Sequence, residues 1–254
     1  MAENKDATAV TREASMEQWQ TGLNLLAKVK EVKLIMEDEF PKWIYTVRDL
    51  GNRVLFSVYN AVHDCCRCCC NCVYGPGSAP FTAYMKQSNN VDGVVLMSFE
   101  RPLRLQSGLK GLFCGCLGQE LKIEAPPGRR IASILEDYNT WGTSLTIYDA
   151  KGKPALKVIG PTLPPYFMCA ERPTVFKVYT MTGTLVGQII FEEQYGEIGS
   201  RLSVSFPANL DVLIKGSVIG CALLVAFMFH EEGFTYYMLQ LLYAFRNSFR
   251  NGRS

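Results

Sequence analysis

The chain is 254 residues long, 48% hydrophobic and 20% charged, a profile that supports a folded core and excludes a largely disordered chain. A formal net charge of +2 gives no electrostatic case for nucleic acid, so no nucleic-acid partner is expected. Ten cysteines are many for this length, and the polar stretch from Met1 to Thr21 has no apolar signal-peptide core. The thiols are therefore expected in a reducing cytosol, where modification or metal binding outweighs disulfide formation.

Residues 1–21 read as a disordered N-terminal tail, 22–233 as one β-rich domain, and 234–254 as an aromatic and basic C-terminal tail. The first hairpin runs Trp43–Val47, a turn around Asp49 to Asn52, then Val54–Val58. The second joins Phe81–Met85 to Val94–Phe99 through a turn ending at Asp92-Gly93. Glu120–Glu124, a Pro126-Pro127-Gly128 turn and Ile131–Glu136 follow. Two more hairpins then pair Leu145–Tyr148 with Ala155–Ile159 and Phe176–Tyr179 with Leu185–Phe191, before a last strand, Arg201–Phe206. Each combines β-branched and aromatic residues with a Gly-containing turn, the signature of a hairpin. The order predicts one β unit written twice, able to close into a barrel without exposed edges.

Between these strands lie two cysteine groups: Cys65, Cys66, Cys68, Cys69, Cys70 and Cys72, then Cys114 and Cys116. Palmitoylation suits clustered thiols beside apolar residues at a membrane, and two or more acyl chains give stable anchoring where one does not. Metal binding is the rival, because Cys65-x-x-Cys68 and Cys69-x-x-Cys72 have zinc-knuckle spacing. The interleaved thiols blur that register, so zinc is not expected. An idle loop is the third possibility.

The stretch 211–230 breaks the β pattern and is apolar on every side, including Val212, Gly216, Gly220, Leu224 and Phe229. A helix of this kind is either core or membrane-spanning. Lys215 interrupts it, and the unbroken run from Val218 to Phe229 falls short of the roughly 20 residues that a span needs. Gly216 and Gly220 suit close packing against another helix in lipid or against strands. Basic residues follow the stretch, and the cysteines before it also favour the cytosol, so a single span cannot place both flanks correctly. Burial inside the barrel is the preferred expectation. The tail beyond, Phe234 to Phe245 with later arginines, suits an interfacial helix on anionic lipid, packing on the barrel exterior, or self-association.

The only histidines are His63 and His230. No nucleophile–His–acid context and no phosphate-binding loop accompanies them, so no catalytic residues are assigned and an enzyme is not expected.

Three segments carry a family likeness. Ser98-Phe-Glu-Arg-Pro-Leu103, Leu121-Lys-Ile-Glu-Ala-Pro-Pro-Gly128, and Phe206-Pro-Ala-Asn-Leu-Asp-Val212 leading into Ile219–Phe229 together resemble the phospholipid scramblase family, over roughly 22–232. The resemblance implies a tubby-like fold: a closed antiparallel β-barrel of two tandem halves around a central hydrophobic helix. It implies palmitoylated cysteines and ATP-independent, bidirectional, calcium-responsive movement of phospholipids between leaflets. The implied place is the cytoplasmic face of the plasma membrane, anchored or single-pass, against an anionic leaflet. A palmitoyl-anchored lipid-binding or regulatory module without intrinsic scrambling is the alternative. The family's calcium segment maps to residues 198–209; Ser200 and Asn209 within it and Glu197 and Asp211 beside it are the candidate oxygen donors. Ile198, Ser200 and Asn209 stand where carboxylates would be expected, so the segment is poor in the oxygens that calcium requires. The family's basic nuclear-import stretch and proline-rich N-terminal arm have no counterpart in the sequence.

Overall fold

The structure, a computed structural model, describes residues 19–39, 42–60, 80–87, 93–102, 118–137, 143–161, 173–193 and 200–230. The strands are β1(Glu31–Glu39), β2(Lys42–Arg48), β3(Val54–Asn60), β4(Phe81–Gln87), β5(Val95–Arg101) and β6(Glu120–Glu124). They continue as β7(Arg130–Glu136), β8(Ser144–Asp149), β9(Pro154–Ile159), β10(Thr174–Thr180), β11(Leu185–Glu193) and β12(Ser200–Ser205), followed by helix α1(Val212–His230). Each strand pairs antiparallel with its sequence neighbours, and β1 pairs with both β2 and β12. The sheet closes, and no strand is left with an unpaired edge.

Alternation fixes which side chains face inward. On β4, Phe81, Ala83 and Met85 are buried while Thr82, Tyr84 and Lys86 face out; β6 buries Leu121 and Ile123 in the same way. Two of the hairpin turns share one construction. In the β2–β3 turn, Asp49 and Arg53 pair their backbones, Asn52 adopts φ 62°, and Asp49 Oδ1 accepts from Arg53 N at 2.9 Å. In the β8–β9 turn, Asp149 and Lys153 do the same around Gly152 at φ 77°, with Asp149 Oδ1 accepting from Lys151 N and Lys153 N. These are type I turns closed by a left-handed residue and a bulge. The bulges fall at Val47/Arg48 and Ile147/Tyr148.

The match between these two hairpins extends into their strands at an offset of 100 residues. Tyr45, Val47, Phe56 and Val58 are buried, as are Leu145, Ile147, Leu156 and Val158. Thr46 Oγ1 donates to Glu37 Oε1 at 3.0 Å, and Thr146 Oγ1 donates to Asp137 Oδ1 at 2.8 Å. A buried hydroxyl tied to a carboxylate at matching positions supports the expected tandem halves. The sequence reading did not single out β1, which in this scheme is the counterpart of β7.

The barrel interior is filled by α1. Asp211 starts the helix: its Oδ1 accepts from Leu213 N at 2.9 Å and Ile214 N at 3.3 Å, satisfying donors that have no partner within the helix. From Lys215 to Phe227 every residue of the helix is buried. The glycines permit this enclosure. A Cβ at Gly220 would lie 2.8 Å from Ile123 Cδ1 and 2.9 Å from Phe99 Cε1; one at Gly216 would meet Met97 Cε at 2.2 Å. The Gly216 and Gly220 face therefore packs on β5 and β6, resolving the choice between strand and lipid contact. Val212 and Leu224 also pack in the core, and Phe229 is within α1, its side chain outside the described residues. Among the described residues, no helix is long and apolar enough to cross a membrane.

Lys215 is fully buried, and its ammonium reaches four main-chain carbonyl oxygens: Leu26 at 3.1 Å, Ala27 at 2.9 Å, Val29 at 2.9 Å and Ala208 at 3.0 Å. Burial pulls its pKa below the ordinary lysine value, and the carbonyl dipoles oppose that shift. The Phe206 ring lies 5.2 Å away. Three of these carbonyls belong to the segment before β1, whose Leu23 and Leu26 are buried and whose Trp19 Nε1 donates to Leu96 O at 2.8 Å. Helical turn 19–24, which includes residues 19–21 of the expected tail, is thus tied to the barrel. Local composition does not reveal this long-range anchoring. Residues 1–18 lie outside the described residues.

Replacing Lys215 by Met removes the buried ammonium that these four carbonyls share, and a loss of about 3 kcal/mol is expected in denaturant unfolding. Gly220→Val is expected to cost about 2 kcal/mol by overpacking against Phe99 and Ile123. Gly216→Ala meets only the mobile end of Met97 and is expected to stay within about 1 kcal/mol of the parent in the same measurement.

Candidate membrane-facing end of the barrel

Because the strands alternate in direction, the barrel has two different ends. One carries the short turns 49–53, 125–129, 149–153 and 180–184, together with the start of α1 and the segment before β1. The other carries the connections 61–79, 103–117 and 162–172, and there α1 finishes. Those three connections hold every cysteine of the chain except Cys221. The palmitoylation candidates Cys65, Cys66, Cys68, Cys69, Cys70, Cys72, Cys114 and Cys116 lie outside the described residues, but both ends of each connection are fixed at this loop end. Residues 234–254 follow α1 from the same end and also lie outside the described residues. Cys221, inside α1, is fully buried, and burial pushes its thiol up to about 12, which keeps it protonated and unreactive.

The loop end rests on a buried polar cluster that sequence reasoning did not assign. Arg101, 1% exposed, closes β5 just before the connection to Cys114 and Cys116; Gln119 precedes β6 just after it. The Arg101 guanidinium donates from Nε to Gln119 Oε1 at 3.0 Å and also from Nη2 to that oxygen. Gln119 N donates to Glu136 Oε2 at 3.1 Å, and Glu136 N donates to Gln119 O at 2.9 Å. The connection therefore leaves and re-enters the barrel at two points held together by charge-assisted hydrogen bonds. Above this cluster, Arg101 Cζ lies 5.8 Å from the Phe81 ring centre, and Phe81 stacks on Phe227 of α1 at 4.0 Å. Tyr45 meets Phe227 edge-on at 6.2 Å. Period-2 alternation was the available signal, since Phe99 and Arg101 must share a face.

The family-like segments acquire structural roles. In Leu121–Gly128, Leu121 and Ile123 face the core. Glu124 Oε2 accepts from Gly128 N at 2.7 Å and from Ser98 Oγ at 3.3 Å, tying the turn to β5. The Ala125–Pro126 bond is cis. The candidate calcium residues are spread out. Ser200 opens β12, whereas Asn209 and Asp211 lie beyond its other end, a strand length of about 17 Å away. Asp211 is engaged as the helix cap, and Glu197 lies outside the described residues. Among the described residues, no three His, Cys, Asp or Glu side chains converge as metal ligands.

The scramblase family model matches residues 28–232, the whole barrel and its helix. The chain belongs to the scramblase family. It is similar to phospholipid scramblase 1 of Homo sapiens, 29% identical over 83% of this chain and 66% of that one. It is also similar to phospholipid scramblase 1 of Rattus norvegicus, 32% identical over 72% of this chain and 52% of that one. The chain thus spans between about half and two thirds of the length of these relatives. A solved Arabidopsis thaliana protein is similar with a TM-score of 0.41 and 12% identity, covering 76% of this chain and 90% of that one.

Substituting Arg101 by Leu removes the two buried guanidinium hydrogen bonds to Gln119 Oε1. A loss of about 2–4 kcal/mol in unfolding free energy is expected, with faster proteolysis in the 103–117 connection.

Proposed function

We propose that this protein is a phospholipid scramblase that acts from the cytoplasmic face of the plasma membrane, anchored by acyl chains on the cysteines of its loop end. It moves phospholipids in both directions between leaflets and uses no ATP, a transport role rather than a catalytic one. The observation that supports this most is topological: both cysteine groups and the exit of α1 belong to one end of a closed barrel. Several thioesters on one end would hold the barrel upright on the bilayer, since two or more acyl chains resist dissociation where one does not. The arginines of the C-terminal tail, Arg246, Arg250 and Arg253, suit an anionic leaflet. Calcium responsiveness enters through the family resemblance alone.

The alternative, an acyl-anchored lipid-binding or regulatory module without intrinsic scrambling, is favoured by the enclosure of α1, which leaves that helix unavailable to line a lipid path through the membrane. Reconstitution into vesicles with leaflet-labelled phospholipid separates the two readings. Scrambling predicts loss of label asymmetry within minutes without nucleotide; stable asymmetry with tight binding supports the module instead. Repeating the assay with calcium and with a chelator tests the calcium response.

Acylation has its own outcome. With Cys65, Cys66, Cys68, Cys69, Cys70 and Cys72 changed to serine, the membrane-bound fraction in cells is expected to fall at least about tenfold, with loss of hydroxylamine-sensitive acyl label. Retention of both would rule out anchoring by this cluster.

A further inference from the structure

The end of the barrel opposite the cysteines carries an unexplained combination of side chains. Among the described residues, the three most exposed large hydrophobic side chains are Leu50 at 64%, Leu185 at 55% and Met181 at 50%. Leu50 and Met181 sit in the short turns 49–53 and 180–184, and Leu185 opens β11 directly after the second of these. The same rim holds five exposed cations, Arg53, Arg129, Arg130, Lys151 and Lys153. None of the five forms an ion pair with a described residue. The carboxylates nearby are turned to the backbone: Asp49, Glu124, Asp149 and Asp211 each accept from main-chain N–H groups. These four carboxylates are thus engaged in the turns and at the helix start, while the cations and aliphatic side chains project outward.

We propose that this turn rim is a second membrane-contact surface, specific for anionic bilayers, so that a barrel anchored by its loop end presents it to another membrane. The chemistry favours a bilayer over a folded partner. Leu50 stands on a different hairpin from Met181 and Leu185, which suits a fluid interface that closes around each group better than a rigid complementary pocket. Cations interspersed with the tips match anionic headgroups, and each basic residue near such a surface adds attraction that salt screens. An outer groove of about 300 Å³, lined by Lys157, Ile159, Tyr179, Thr180, Met181 and Gly183, adjoins the Met181 tip and extends this apolar surface. The separation between the two ends is set by α1, roughly 28 Å for its 19 residues. The bridging geometry rests on the loop-end attachment proposed above; the affinity of the rim for lipid does not.

The test supplies that attachment chemically. The full chain, made without acyl groups, is coupled through its loop cysteines to vesicles containing a maleimide lipid; buried Cys221 does not compete. A second, fluorescent vesicle population of either phosphatidylserine with phosphatidylcholine or phosphatidylcholine alone is then added, and clustering is followed by light scattering. Clustering is expected with the anionic vesicles only, reversed by salt. It is expected to drop at least about tenfold in Leu50→Ser/Met181→Ser/Leu185→Ser and in Arg53→Glu/Arg129→Glu/Lys151→Glu. All six side chains are exposed, so unchanged circular dichroism and melting should accompany the loss. No clustering, equal clustering of neutral vesicles, or undiminished clustering by both variants would overturn the proposal. Because the coupling is chemical, absence of acylation in cells would leave this result untouched, and a failed rim would leave the anchoring reading intact.

Discussion

A helix that is apolar around its whole circumference must be covered on every side, and α1 imposes that requirement on the rest of the chain. A single sheet would cover one face. Twelve antiparallel strands closed through β1 and β12 cover all of them and also remove the sheet edges that would otherwise invite association. The small residues Gly216 and Gly220 bring the rod within reach of β5 and β6, whereas Phe227 packs against the Tyr45 and Phe81 rings. The one charge on the enclosed part of the helix, Lys215, is tolerated because four carbonyl oxygens replace its hydration shell. That same contact ties the segment before β1 and the link after β12 to the helix start.

The two ends of the barrel differ in construction. Short turns with left-handed residues make the end where α1 starts compact, and the pinned N-terminal segment closes it. The opposite end receives the long connections, and the ladder on either side of each is intact. Arg101, Gln119 and Glu136 clamp the base of one such connection. Under the acylation proposed above, thiols carried there would be modified without disturbing the ladder, since loops on a rigid scaffold tolerate change that core positions do not. Cys221 shows the contrast, buried in the helix with its proton held.

Much of this architecture was legible in the residues. Aromatic and β-branched alternation around Asp49-Leu-Gly-Asn52 and Asp149-Ala-Lys-Gly152 announced hairpins, and their similarity announced the repeat. The conflict between the charge flanks and the short apolar run favoured an enclosed helix. What stayed hidden depends on contacts between distant residues. Trp19 looks like part of a polar tail until its indole meets Leu96, 77 positions away. Lys215 reads as an interruption, because nothing local shows that residues 26, 27, 29 and 208 converge on it. Ser200 and Asp211 looked close along the chain, but extended strand geometry separates them.

Amide hydrogen exchange in buffer free of lipid and detergent tests the enclosure most directly. A rod held inside the barrel predicts that the amides of residues 216–227 exchange only with global unfolding, at the same free energy as those of β5 and β6. Exchange of that segment ahead of the strands, with protection gained only when vesicles or detergent are supplied, would contradict it.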